Sequence, residues 1–219
     1  MIEAVIFDMD GLLIDSEPLW QEAEIFSFQR VGIELDNKMC LETMGLRVDQ
    51  VVDYWNYKFP GKVKDKDSLV KDIMGGVISL VIEKGKPREG VNEILEFMKG
   101  QNVKMAIASS SQLILIKTVV KKFGIDKYFD EFYSAEMEEY GKPHPGVYIT
   151  TAKVLDVVPE RCLALEDSFN GLLSAKAARM KCICVPDESI KQSPKLVIAD
   201  LVLNSLADFN EEYWNNLNK

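Results

Sequence analysis

The apolar positions of this chain fall into two rhythms that separate strands from helices. Short runs in which nearly every residue is apolar, at Lys104–Ser109, Cys162–Glu166, 182–185 and 200–203, read as strands buried on both faces. Between them, apolar residues recur three and four positions apart over 112–123, where Gly124 ends the pattern, over 147–155 and over 168–178. That spacing predicts helices with one stripe turned to a core. Strands that are apolar on two sides and alternate with helices imply a parallel sheet covered on both faces, a doubly wound α/β core. Ala4–Phe7 reads as a further strand of the same sheet. The chain is expected to close with the 200–203 strand and a short terminal helix.

The strand after Ala4–Phe7 does not begin until Lys104, although a parallel crossover needs only a dozen or so residues and one helix. A helical pattern over 91–99 supplies that crossover. The interval before it holds Leu19, Ala23 and Phe26 at i, i+4, i+7, then a pattern over 48–59, then another over 69–83. These predict an inserted all-helical cap over residues 15–87, with residues 1–14 and 88–219 forming the α/β core. The joins fall near 12–17 and 85–89, where Gly85, Pro87 and Gly90 punctuate the chain. An insertion after the first strand sits above the carboxyl edge of the sheet, where open α/β sheets bind ligands, so it reads as a lid.

Composition narrows the classes of function. With 219 residues, 47% of them hydrophobic and 28% charged, the chain can bury a full core and falls among soluble globular proteins. No run approaches the roughly 18–20 apolar residues of a membrane span, and Met1 leads into a strand rather than an export signal. A cytoplasmic, monomeric protein is expected. A net charge of −9 with no basic run argues against nucleic acid and leaves a small molecule as the partner. Cys40, Cys162, Cys182 and Cys184 read as reduced, buried thiols; Cys182 and Cys184 would share one face of a strand.

The candidate chemistry sits at strand ends. Asp8 and Asp10 follow the first strand, with Gly11 behind them. Two carboxylates in one pocket repel unless a cation or proton intervenes, and one could attack a phosphoryl group while the other moves protons. An acidic turn reads the same way from Asp-x-Asp alone. Ser109, Ser110 and Ser111 end the second strand before a helix and could hold phosphate oxygens, or could simply cap that helix. Lys142 precedes another helix, where its ammonium could balance charge on a phosphoryl group. Glu166 and Asp167 end a further strand and offer hard oxygen ligands suited to Mg²⁺. Each has an ordinary structural explanation; their order at successive strand ends does not.

Asp8-x-Asp10-Gly11, Ser109, Lys142-Pro143 and Glu166-Asp167 together resemble the haloacid dehalogenase superfamily of phosphohydrolases, in the subgroup with a helical cap after the first strand. The resemblance spans nearly the whole chain. It extends through Asp15-Ser16-Glu17-Pro18-Leu19-Trp20, Met44-Gly45-Leu46-Arg47, Lys142-Pro143-His144-Pro145 and Glu166-Asp167-Ser168-Phe169-Asn170-Gly171 to bacterial sugar-phosphate phosphatases of the 2-deoxyglucose-6-phosphatase or hexitol-phosphatase kind. It implies a Mg²⁺-dependent phosphatase that works through an aspartyl-phosphate. Asp8 would be the nucleophile and a metal ligand. Asp10 would be the acid and base and lend Mg²⁺ its carbonyl, with Asp167 and Glu166 at the metal. Ser109, Ser110 and Lys142 would hold the phosphoryl group, and Glu17 and Arg47 of the cap would meet the substrate. The similar β-phosphoglucomutases carry a His near the position of Trp20, so its absence favours hydrolysis over the alternative, phosphomutase chemistry. A receiver-like phosphate-accepting module is a third reading, to which Asp10 and the long insertion are foreign. His144, the one histidine, reads as structural.

Overall fold

The computed structural model describes residues 1–219. Six strands form one parallel sheet in the order β3-β2-β1-β4-β5-β6, where β1 is Ala4–Phe7, β2 Lys104–Ser109, β3 Glu131–Ser134, β4 Cys162–Glu166, β5 Lys181–Cys184 and β6 Leu201–Val202. β1 lies at the centre, its four residues in register with Lys104 to Ile107 on one side and Cys162 to Leu165 on the other. The order reverses at β1, so its carboxyl end opens into the crevice where doubly wound sheets bind ligands.

Alternation along the strands builds two cores. Val5, Phe7, Met105, Ile107, Leu163 and Leu165 face one side and pack with α5 (Val91–Gly100) and α6 (Leu113–Phe123). The opposite face presents Ala4, Ile6, Ala106, Ala108 and Ala164, small enough to let α7 (Gly146–Val154) and α8 (Phe169–Ala177) come close. Fully burying a side chain such as Phe7 or Ile6 stabilises the fold by about 1.5–3 kcal/mol. Cys182 and Cys184 share the second face, and all four cysteines are buried free thiols. The chain ends in β6 and α9 (Glu211–Leu217).

β3 is a strand that the apolar pattern does not reveal. It is four residues long, at the sheet edge, and only Ser134 in it is fully buried, so it carries no hydrophobic run. Its ladder with Ala106–Ser109 nevertheless fixes where the following loop, and Lys142 within it, returns to the sheet.

The long interval after β1 folds into α1 (Glu17–Arg30), α2 (Asn37–Cys40), α3 (Val48–Lys58) and α4 (Lys66–Lys84). α1 lies along α4, where a Cβ on Gly76 would come within 3.2 Å of the Ala23 Cβ. One sequence expectation is corrected here: Leu19 and Ala23 are buried, but Phe26 is 64% exposed. The inward face of α1 runs instead through Glu24, Ser27 and Phe28, because this helix faces a polar cavity as well as a core. The chain enters and leaves the inserted helices side by side. Asp15 donates its N–H to Lys86 O at 3.0 Å and Arg88 its N–H to Leu13 O at 3.2 Å, around a bridge between Ile14 and Pro87. No helix is long and apolar enough to cross a membrane.

Candidate functional site

A cavity opens between the carboxyl end of the sheet and the inserted helices. Asp8, Asp10, Ser109, Ser110, Lys142 and Asp167 line it from the sheet side, and Glu17 from α1. Five elements far apart in sequence thus deliver the predicted polar groups to one space.

Lys142 is 3% exposed and forms the hub. Its Nζ donates to Asp8 Oδ1 at 2.8 Å, to Glu166 Oε1 at 2.6 Å and to the Ala108 carbonyl at 3.2 Å. Burial opposes its charge, but Asp8 and Glu166 outweigh burial and raise its pKa, so the ammonium persists at all physiological pH. Glu166 is wholly buried behind this lysine and does not line the cavity; its Oε1 also accepts from the Tyr148 hydroxyl at 2.5 Å. Gly171 is required beside it, since a Cβ there would lie 1.9 Å from the Glu166 carboxyl.

The acids outnumber the cation. Asp8, Glu166 and Asp167 bring carboxylate oxygens within 4.8 Å of one another. Burial, more than the neighbouring acids, pushes Asp8 up to about 7 against the pull of Lys142. Burial, then Asp8 and Glu166, raise Asp167 well above the carboxylate range. Asp167 is 7% exposed, and no side chain donates to it or pairs with it. Gly11, at φ +71°, passes so close that a Cβ would sit 1.9 Å from Asp167 Oδ2. An unpaired buried carboxylate, two more beside it and a backbone drawn tight over it are what a small hard dication needs. The residues present fit Mg²⁺.

Asp10 is held differently. Its Oδ1 accepts from Ser16 Oγ at 2.8 Å and Trp20 Nε1 at 2.9 Å, and its Oδ2 from Ser111 Oγ at 2.7 Å and Ser109 Oγ at 3.4 Å. Its hydrogen bonds therefore come from α1 and its N-cap on one oxygen and from the β2 loop on the other. The sequence sets Ser111 among the hydroxyls for phosphate and Trp20 only where the mutases carry a His; neither reading, nor any for Ser16, points to Asp10. Ser16 and Trp20 stand four apart at a helix start, which puts both on the face above Asp10, and that spacing was the available signal.

Arg47 is not brought to the cavity. Its guanidinium donates across to the carbonyls of Ala135 at 3.0 Å and Glu138 at 2.7 Å, in the loop after β3, and pairs with Asp49. Ser110 Oγ donates to the Gly45 carbonyl at 3.1 Å. These contacts seat the loop before α3 on the sheet. His144 keeps to its own turn, its Nδ1 accepting from the Gly146 N–H at 3.1 Å.

A family model described as haloacid dehalogenase-like hydrolase matches residues 5–185. Hexitol phosphatase B of Escherichia coli strain K12 is 42% identical over 208 residues, covering 94% of each chain. Phosphorylated carbohydrates phosphatase of Thermotoga maritima is 33% identical over 208 residues, covering 92% of this chain and 93% of its own. Among solved structures, β-phosphoglucomutase from Clostridium difficile superposes with a TM-score of 0.87 at 26% identity, over 99% of this chain and 96% of that one.

Proposed function

The chain belongs to the haloacid dehalogenase-like hydrolase family and is a phosphoric monoester hydrolase for sugar phosphates; we propose that Asp8 is its nucleophile, Asp10 its general acid and base, and Mg²⁺ its cofactor. The single observation that carries the assignment is the contact of Lys142 Nζ with Asp8 Oδ1 at 2.8 Å inside the cavity that Asp10 and Asp167 also line. It leaves a buried carboxylate oriented by a permanent cation, with a second carboxyl two residues on.

Asp8 attacks phosphorus, forming an oxygen–phosphorus bond as the bond to the sugar oxygen breaks. Asp10 gives its proton to that leaving oxygen. As a carboxylate, Asp10 then takes a proton from the water that attacks the aspartyl-phosphate, which releases inorganic phosphate and restores Asp8. Lys142, Ser109 and Ser110 hold the phosphoryl oxygens. Asp8, Asp167 and the Asp10 carbonyl would hold Mg²⁺, with Glu166 behind them bracing Lys142. When bound, the ion supplies positive charge against the phosphoryl oxygens. Residues 15–87 act as a cap that shuts water out, and Glu17 and Arg47 serve it from opposite sides, Glu17 in the cavity and Arg47 at the seam.

Transfer to a second sugar hydroxyl, as in the phosphoglucomutase neighbours, is disfavoured by Trp20, which occupies Asp10 from the cap with a group that cannot accept a proton. The test is Mg²⁺-dependent release of phosphate from 4-nitrophenyl phosphate and from a hexitol 6-phosphate. Wild type should turn over both and stop on chelation, and Asp8→Asn should turn over neither. Activity retained in Asp8→Asn overturns the assignment.

A further inference from the structure

The cavity has a second end that the phosphoryl chemistry does not use. Beyond Asp10 it is lined by Glu17, Glu24, Cys40, Thr43 and Val51. Glu17 lies in the first turn of α1, within the field of Asp10; Glu24 stands seven residues on, about 10 Å further along the helix axis. Glu24 is 6% exposed, yet no cation and no hydroxyl of the protein pairs with it. Its one hydrogen-bond partner is the Cys40 thiol, a weak donor. A carboxyl buried this deeply on a cavity wall, with its hydrogen-bonding capacity unspent, is shaped for something that enters the cavity.

Building on the phosphatase reading, we propose that Glu24, with Glu17 on the same cavity wall, receives the uncharged polyhydroxyl end of a sugar monophosphate and turns away substrates that carry a second phosphoryl group or a carboxylate. The charge balance of the cavity supports this. Lys142 is the only basic residue that lines it, and Lys142 is spent on Asp8 and Glu166 at the phosphoryl end. Arg47, just before α3, is turned out to main-chain carbonyls of the core. A second anionic group would therefore find no cation to balance it at this end, whatever the protonation of the two carboxyls. An alkyl tail would leave Glu24 buried and unpaired. A chain of hydroxyls meets neither penalty, since each can donate or accept. Burial, then the charge of Glu17, pushes Glu24 up to about 8, so at neutral pH it is mostly a carboxylic acid that can both donate to and accept from a sugar hydroxyl.

The experiment compares kcat/KM for sorbitol 6-phosphate, glucose 1,6-bisphosphate and 4-nitrophenyl phosphate at saturating Mg²⁺ in wild type, Glu24→Gln and Glu24→Lys. Wild type should favour the hexitol monophosphate over the bisphosphate by about a hundredfold, because an anion brought into a binding site without a complementary charge is strongly penalised. Glu24→Lys should shrink that ratio at least tenfold. Glu24→Gln keeps shape and folding; it should lower the preference for sorbitol 6-phosphate over the aryl phosphate, chiefly through KM. The inference is overturned if wild type hydrolyses the bisphosphate as well as the monophosphate, or if both ratios stay the same in Glu24→Gln. A wild type inactive on all three, aryl phosphate included, overturns the phosphatase reading itself and the inference with it.

Discussion

Trp20 Nε1 donates to Asp10 Oδ1 at 2.9 Å, a bond from the first helix of the cap to the carboxyl proposed as acid and base. An indole N–H can only donate, so Oδ1 must accept. Any proton on Asp10 therefore sits on Oδ2, where the hydroxyls of Ser111 and Ser109 can turn to receive it. Trp20 thus fixes which oxygen delivers the proton, a choice that an imidazole, with a bare nitrogen available, would not enforce.

Replacing Trp20 by Phe keeps most of the ring and removes the donor. We expect kcat for a sugar phosphate to fall about tenfold, with KM little changed, the loss of one hydrogen bond to a charged group being worth roughly 1.5 kcal/mol or more. Steady-state kinetics beside a thermal melt separate this from unfolding. An unchanged kcat would mean that Ser16 suffices to orient Asp10.

Asp167 is destabilising until a cation meets it. Asp167→Asn should raise the melting temperature of the chelated protein by a few degrees, at about 2–4 °C per kcal/mol for a chain of this size. Saturating Mg²⁺ at a hundred times its Kd should stabilise wild type by about 2.7 kcal/mol and the variant hardly at all. Differential scanning calorimetry with and without Mg²⁺ reads both, and equal stabilisation of the two proteins would remove Asp167 from the metal site.

The same burial gives the metal-free protein a pH dependence of definite sign. Asp8 is raised from 3.8 to about 7 and Glu24 from 4.5 to about 8, so between these values the folded chain holds protons that the unfolded chain releases. The stability these groups allow is present below pH 4 and is lost as pH rises through 7 and 8. Urea titrations of chelated protein at pH 5.5 and 8.5 should show the higher midpoint at 5.5. Mg²⁺ should flatten the slope, and Glu24→Gln should reduce it. A higher midpoint at pH 8.5 in wild type and no change in Glu24→Gln would contradict the burial argument.

What the sequence by itself determined is whatever local pattern encodes. The two-sided apolar runs required a parallel sheet, the overlong interval after Ala4–Phe7 required an insertion, and the polar groups ending those runs had to gather at one edge, because parallel strands point their carboxyl ends the same way. Asp8, Asp10, Ser109, Lys142 and Asp167 were legible on those grounds. The tertiary structure decided everything that depends on which faces meet. β3 exists because its backbone pairs with β2, not because its side chains are apolar. Phe26 lies outside and Glu24 inside because α1 borders a polar cavity, which no helical period can announce. Arg47 reads as a substrate contact until the fold brings the carbonyls of Ala135 and Glu138 to it. Hydrogen-bond partners 88 and 91 residues away are set by packing, and packing is a property of the whole chain.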